Sequence, residues 1–451
     1  MKPIAALLFL AALPAAAQEP LDLTHPFEYA DQPVPGYITR DNTPADNPIT
    51  NLGATLGRVL FYDKRLSNNS TVSCASCHHQ ERAFSDNATA SAGVAGVTGR
   101  HSMRLINARF SDESRFFWDE RADSAEDQAT RPIQDHVEMG FSNTDGDPAF
   151  SDLVERLEVI EIYQVLFEAV YGDPAVTEER VGKSLAQFVR SIQSFDSRYD
   201  EGRTLTGNDA PPFPNFTQQE NDGKNIFLRP PNAGGAGCAG CHQPPEFSID
   251  PDSRNNGVIG VIAGGTDTTN TRAPSLRDLV NADGTPHGAF MHDASFATLQ
   301  EVIDHYNAIP AVVTNLDNRL VRPGNQPQRL NLSTTDKNAL EAFLKTLTGT
   351  NVYSDEKWSD PFDAAGELSY VILPAESVEC GRLDDDGQSY TTVSATGVPN
   401  VTYGLQGSID LTHWTTVEVK ADENGTLSAA VPDLEGNSHR YFRFIYPGPV
   451  E

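Results

Sequence analysis

Positive charge is scarce in this chain: 33 Lys and Arg stand against 63 Asp and Glu over 451 residues, a formal net charge of −30. An acidic excess of that size excludes nucleic acid and anionic membrane surfaces as partners, since both would repel it. Long apolar runs are missing too. Beyond the first residues nothing approaches the roughly 18 consecutive apolar residues of a membrane span, so no spanning segment is expected. Cysteine is rare, five residues in all, and too unevenly placed for a disulfide scaffold. What is present is 38% hydrophobic residues with 34 Gly and 30 Pro, the composition of a loop-rich globular protein of two or more domains, neither disordered nor fibrous.

At the N-terminus Lys2, the apolar run Ile4 to Leu13 and then Ala15-Ala16-Ala17 before Gln18 follow the charged, apolar and small-residue order of a secretory signal. Residues 1–17 read as a signal peptide cleaved near Ala17, and the mature chain is expected in the periplasm.

Four of the five cysteines form two close pairs, each followed at once by histidine: Cys74-Ala75-Ser76-Cys77-His78 and Cys238-Ala239-Gly240-Cys241-His242. Both match C-x-x-C-H, the attachment motif of c-type haem. Two thiols three positions apart can form thioethers to the two vinyl groups of one porphyrin, and the next side chain, an imidazole, then lies under the ring as proximal iron ligand. Two covalently bound haem c groups are the expected cofactors. A redox dithiol, a vicinal disulfide loop and a zinc site built from both pairs are the competing uses of the same thiols. Cys380 stands alone and reads as a buried free thiol.

Residues 18–50 are polar and Pro-rich and read as an extended arm. A helical period runs from Val154 to Tyr171, and a second helix (Val181, Leu185, Phe188, Ile192, Phe195) follows the start signal Thr177-Glu178-Glu179. Pro211, Pro212 and Pro214 separate a first helical unit, 51–207, from a second, 216–352. The second holds helices over Gln218 to Phe227, around Leu299 to Tyr306, and over Ser333 to Leu347. From residue 365 the period changes to two, in runs such as Tyr370-Val371-Ile372-Leu373 and Thr415-Thr416-Val417-Glu418-Val419. The expected fold is therefore mainly α, two helical units with one haem each, followed over 365–451 by a small all-β domain of β-sandwich, immunoglobulin- or fibronectin-like type without chemistry of its own.

Around the motifs stand Leu56-Gly57-Arg58-Val59-Leu60-Phe61-Tyr62-Asp63, Phe117-Trp118-Asp119-Glu120-Arg121-Ala122, Val137-Glu138-Met139-Gly140 and Met291-His292-Asp293-Ala294-Ser295. In this order, from about Leu52 to Gly349, the chain resembles the bacterial di-haem cytochrome c peroxidases, including the MauG-type enzymes. The resemblance makes both helical units cytochrome c-like, the first peroxidatic and the second for electron transfer. It also makes Trp118 the tryptophan between the haems, although Phe116-Phe117-Trp118 alone would read as core packing. Gln128 and Glu138 match the family's polar pair on the open face of the peroxidatic haem. A carboxylate there can take a proton from one peroxide oxygen and return it to the other, and an amide can orient the molecule. Without the resemblance, Glu138 would read as solvated surface.

Where many members carry a removable histidine in a Gly-His-Gly loop, this chain reads Ala92-Gly93-Val94-Ala95-Gly96. Valine cannot bind iron, which implies an open position on the first haem and no reductive activation. At the second haem, counting forward from His292-Asp293 puts Tyr306 where the peroxidases proper have a methionine, the identity seen in MauG-type enzymes. Tyrosinate lowers the potential relative to methionine. Tyr306 equally fits its own helix's buried stripe, so Met291, His292 and His305 are competing ligands, with Met103 and Met139 more distant ones. The family's inter-domain Ca²⁺ carries over poorly, because Arg100-His101-Ser102 replaces its asparagine. His79, His136 and His413 read as ordinary solvated or packing histidines.

The resemblance implies an exported peroxidase in which a small cytochrome c or cupredoxin feeds electrons to the second haem and hydrogen peroxide is reduced at the first; a homodimer is compatible with it. The acidic surface favours a donor with a basic face. Two other readings stay open: a MauG-like oxidase of protein aromatic side chains, and an electron carrier with both irons six-coordinate.

Overall fold

The computed structural model of the chain describes residues 20–373, 377–381, 390–432 and 441–447. The signal peptide read over residues 1–17 and the side chain of Cys380 lie outside what it describes.

The arm begins with a two-residue strand, β1 (Leu21–Asp22), and is otherwise irregular until Thr50, whose hydroxyl accepts from Gly53 N–H and caps helix α1 (Asn51–Tyr62). It is pinned to the body: Asn51 Oδ1 accepts from the Tyr29 and Ala30 amides, and Gln32 donates to Ser191 O. The first helical unit continues with α2 (Ala125–Thr130), α3 (Phe150–Glu158), α4 (Glu161–Tyr171) and α5 (Glu178–Ser191), the last capped by Thr177. The single helical period read over Val154 to Tyr171 is broken in two. Ile160 is extended (φ −94°, ψ 105°), and Gln164 Nε2 donates to the Glu158 carbonyl that the break leaves free. Bending there lets Leu153 and Leu157 of α3 and Tyr163, Leu166 and Phe167 of α4 reach one buried cluster.

After α6 (Arg198–Thr206) the second unit comprises α7 (Gln218–Leu228), the short pair β2 (His242–Gln243) and β3 (Ser248–Ile249), α8 (Leu299–Asn307), the pair β4 (Val321–Arg322) and β5 (Gln326–Pro327), and α9 (Thr334–Lys345). One packing device serves both units. A Cβ at Gly57 of α1 would lie 2.0 Å from Ser184 O of α5, and one at Gly223 of α7 would lie 1.9 Å from Ala339 O of α9, so in each pair glycine lets two helix backbones touch. The cores divide ahead of the proline-rich stretch that marks the sequence boundary. Tyr199 on α6 already belongs to the second buried cluster, and Asp200 forms a buried bidentate pair with Arg277.

Beyond residue 370 run β6 (Val371–Leu373), β7 (Ser377–Gly381), β8 (Tyr390–Thr396), β9 (Thr402–Ser408), β10 (Trp414–Lys420), β11 (Thr426–Pro432) and β12 (Tyr441–Tyr446). They form a five-stranded sheet, β1-β6-β12-β9-β10, and a three-stranded sheet, β11-β8-β7. The arm supplies the edge strand of the larger sheet, Leu21 and Asp22 pairing in parallel with Val371 and Ile372. Val393, Tyr403, Leu405, Leu427 and Phe444 from both sheets join Leu56, Leu60 and Phe61 in the first buried cluster, so this region shares a core with the first helical unit. Among the described residues no helix is long and apolar enough to cross a membrane.

Candidate active site

The first C-x-x-C-H segment forms a single helical turn over Cys74–Ser76, with His78 N–H donating to Cys74 O. His78 Nδ1 lies 2.9 Å from Phe84 O. Because the partner is a carbonyl, Nδ1 carries the proton and Nε2 keeps a lone pair, the arrangement a metal-ligating imidazole needs. Burial holds this ring below the usual imidazole pKa and so neutral. Ala83 and Phe84 both take left-handed backbone (φ 57° and 56°), which turns the chain back on itself at the residue whose carbonyl His78 engages.

A cavity beside this turn is lined by Cys74, Cys77 and His78 together with Gly93, Gln128 and Glu138. Gln128 comes from α2. Glu138 comes from a loop that three devices hold. Asp135 Oδ1 accepts from the Val137 and Glu138 amides at 2.8 and 3.0 Å. The Val94 and Ala95 amides donate to Glu138 O and Val137 O. Asn68 Nδ2 donates to Gly140 O. Gly93 is required, since a Cβ there would sit 2.0 Å from Val137 O. The loop read from sequence only as lacking an iron ligand is thus the clamp that positions Glu138. Burial, reinforced by Asp135 and opposed by Arg121, pushes the Glu138 carboxyl up to about 7. Glu138 and Pro132 also line a second, more polar cavity whose wall includes Arg121, stacked 3.6 Å over the Phe117 ring. Glu138 therefore stands between the two cavities.

Trp118 lies at the seam between the two units. Its indole N–H donates to His101 O at 2.7 Å, its ring is 6.2 Å from that of His292, and its carbonyl accepts from the Arg272 amide. The Arg100-His101 segment does not fit a hard cation. His101 Nδ1 donates to Ala88 O, and the Arg100 guanidinium bridges Asp119 at 3.2 Å and Asp267 at 2.5 Å, already neutralising the carboxylates nearby.

The second motif repeats the turn over Cys238–Gly240, entered through Gly237 at φ 73°. His242 Nδ1 is buried without a partner, and burial together with Arg319 pushes its pKa down to about 4. Arg319 clamps this turn by donating to Gly240 O, Asp250 and Ser253. Tyr306 on α8 is half-buried, its phenol pushed far above the ordinary value by burial first and by the nearby Cys241 second. Met291, in left-handed backbone (φ 72°), accepts from Asn256 Nδ2 at 3.6 Å, and the same Asn256 side chain opposes the rise in the Tyr306 phenol's pKa. Of the competing ligands, His305 Nε2 donates to Asn256 O and His292 Nε2 to Gly260 O, which leaves Nδ1 of each with its lone pair, that of His292 buried and unpartnered among the described residues, while Met139 lines the first cavity and Met103 touches Arg272. Asn256 carried no signal in the sequence.

Both donor sets fit a tethered haem: an imidazole with two thiols one turn away in each, and around the first an apolar wall including Phe61, Val72, Leu185 and Val189. The rival uses of the thiols fit less well. Burial pushes Cys74 and Cys238 up to about 12 and Cys77 and Cys241 up to about 11, opposite to a reactive dithiol. Among the described residues no cluster of three or more His, Cys, Asp or Glu could hold a metal ion.

Comparison with known proteins agrees. Residues 51–210 match the di-haem cytochrome c peroxidase family. The methylamine utilization protein MauG of Methylorubrum extorquens is 32% identical over 274 residues, covering 58% of this chain and 70% of that protein. The cytochrome c551 peroxidase of Nitrosomonas europaea is 26% identical over 309 residues, covering 66% and 80%. Among solved structures, a MauG-like protein associated with microbial copper homeostasis superposes with a TM-score of 0.57 at 29% identity, over 73% of this chain and 99% of that one. This chain belongs to the di-haem cytochrome c peroxidase and MauG family, whose cofactor is haem.

Proposed function

We propose that the chain is an exported, periplasmic peroxidase with two covalently bound haem c groups, reducing hydrogen peroxide to two waters with two protons and two electrons from a small cytochrome c or cupredoxin. The observation that supports this reading is the cavity that gathers Cys74, Cys77 and His78 with Gln128 and Glu138. Haem, when bound there, supplies the redox chemistry. His78 would be its proximal ligand, held in the right tautomer by Phe84 O. With its pKa near 7, Glu138 is poised to take a proton from the proximal peroxide oxygen and return it to the departing one, while the Gln128 amide orients the molecule. The second, polar cavity that shares Glu138 offers peroxide a way in. Trp118, at the seam, would carry electrons from the haem held by Cys238, Cys241 and His242.

A second reading, oxidation of aromatic side chains of a protein substrate as in MauG-type enzymes, is favoured by Val94 in place of a histidine and by Tyr306 near Cys241, which would hold the second haem's iron in place of a methionine, with Met291 the alternative. The holoprotein tests both. Pyridine haemochrome should count two haems per chain and one in a Cys74→Ser/Cys77→Ser variant, and stopped-flow should show peroxide oxidising a reduced donor. Protein without haem, or with zinc on the thiols, overturns the proposal. Haem-bearing protein that reacts with peroxide yet oxidises no cytochrome c or cupredoxin favours the second reading.

A further inference from the structure

Two of the buried arginines in this fold meet a carboxylate, and a third, Arg58, donates to the Ser359 carbonyl. Arg277 is bidentate on Asp200 and Arg190 on Glu126. Half-buried Arg104 and buried Arg272, both at the seam, have weaker partners still: among the described residues neither has a carboxylate within 4.0 Å. Arg272 is 4% exposed, lies 4.6 Å over the Phe116 ring, and its one side-chain hydrogen bond is a weak contact to Met103 Sδ at 3.8 Å. Arg104 reaches only Ser275 O, at 3.5 Å. Nε is buried and unpartnered in both. The nearest acids do not reach them: Glu113 and Glu120 pair with Arg115, and Asp278, whose Oδ1 accepts from Tyr353 and the Gly349 amide while its Oδ2 is unpartnered among the described residues, makes no ion pair with either arginine. A guanidinium has five N–H donors and is never deprotonated in practice, so one left inside a fold without a counter-charge is strongly unfavourable unless an anion outside the polypeptide completes it.

We propose that Arg104 and Arg272 are the counter-charges of haem propionates at the seam between the two units. The location points to this anion. Leu105, next to Arg104, lines the first cavity, and the Met103 carbonyl lies against the His78 ring. The backbone of Arg272 is bonded to Trp118. A porphyrin tethered through its vinyl edge presents its two carboxylates on the opposite edge, and a planar guanidinium fork matches a carboxylate. Burial lowers both arginines to about 10, as expected of cations awaiting a partner. Neither residue would touch the reacting atoms; both position the haem and set its potential.

This inference rests on haem being bound as proposed above, and the test separates the two. Full-length holoprotein carrying Arg104→Gln or Arg272→Gln is titrated potentiometrically with optical detection of both haems, after pyridine haemochrome has confirmed two haems per chain. Loss of a cation beside the porphyrin disfavours the added electron. Each Gln variant should shift one haem's ferric/ferrous equilibrium at least tenfold toward ferric, 59 mV for one electron, and the Lys variant should restore most of it. Should the Gln proteins fail to fold, the Arg→Lys proteins decide: the resonance Raman propionate bands should move from wild type, because the fork is gone while the charge stays. Two haems with unchanged midpoints in both Gln variants, or unchanged propionate bands in both Lys variants, overturn the inference. Absence of haem from the wild type overturns the function proposed above instead.

Discussion

The two C-x-x-C-H turns begin alike and part at the histidine. His78 donates to Phe84 O and faces a cavity holding a carboxyl and an amide, whereas His242 Nδ1 has no partner among the described residues, its turn is clamped by Arg319, and the phenol of half-buried Tyr306 feels the charge of Cys241. The same local sequence thus serves two environments, one with proton-handling groups and room for a small molecule, the other with an arginine clamp and a phenol nearby. A carbonyl partner raises the basicity of a ligating imidazole, and that support exists on the first side alone. What differs between the two lies outside the motifs themselves: residues 92–96 and 135–140 on one side, Asn256 and, on α8, Tyr306 on the other.

The comparison breaks most completely if Glu138 is neutralised. Glu138→Gln should lower the rate constant for peroxide by about 10²–10⁴-fold while the spectrum of the second haem stays unchanged. In the parent protein that rate constant should rise with pH through a midpoint near pH 7 and level off above it. Burial raises the pKa of this carboxyl, so the proton-accepting form is lost as pH falls below about 7, and the Gln variant should lack this limb. A flat profile in the parent protein removes Glu138 from proton transfer. Gly93→Ala should cost about 10²-fold, because the new Cβ can be relieved only by pushing Val137 and Glu138 out of place; stopped-flow measures it, with haem content as the control. Tyr306→Met acts on the other side. It should raise one of the two midpoint potentials by at least about 59 mV, a tenfold change, and leave peroxide binding intact; if both potentials stay put, Tyr306 is no ligand. The smallest effect sharpens the contrast. Arg121→Gln should move the pH midpoint for peroxide upward, since Arg121 is the cation that holds the Glu138 carboxyl down, and a downward shift would contradict that role.

Much of the helical part was legible because its signals are local. Thr177 and Ser333 cap α5 and α9 where the sequence places their starts, and the apolar stripes of α7 and α8 mark their buried faces. Helix α6 escaped because it carries no stripe: Leu205 is 61% exposed and Tyr199 alone supplies the apolar anchor. Strands β7 and β11 were missed for the same reason, their sequences Ser-Val-Glu-Cys-Gly and Thr-Leu-Ser-Ala-Ala-Val-Pro having no clean alternation. The motif cysteines and histidines could be read without any fold. Gln128 and Glu138 could be reached only through the family resemblance, since a lone acid in an acidic chain is ordinarily solvated. The Phe84 carbonyl could not be read at all, because a backbone acceptor leaves no trace in side-chain identity, and Arg104 and Arg272 look like surface charge until their surroundings are seen.

The pairing of Leu21 with Val371 joins the first strand of the described chain to one some 350 residues later in synthesis. The larger sheet keeps a bare edge at Val371–Leu373 until both ends have emerged and met. The two ends of the described chain thus hold one another, and removing the arm would leave β6 as the unpaired edge of the larger sheet.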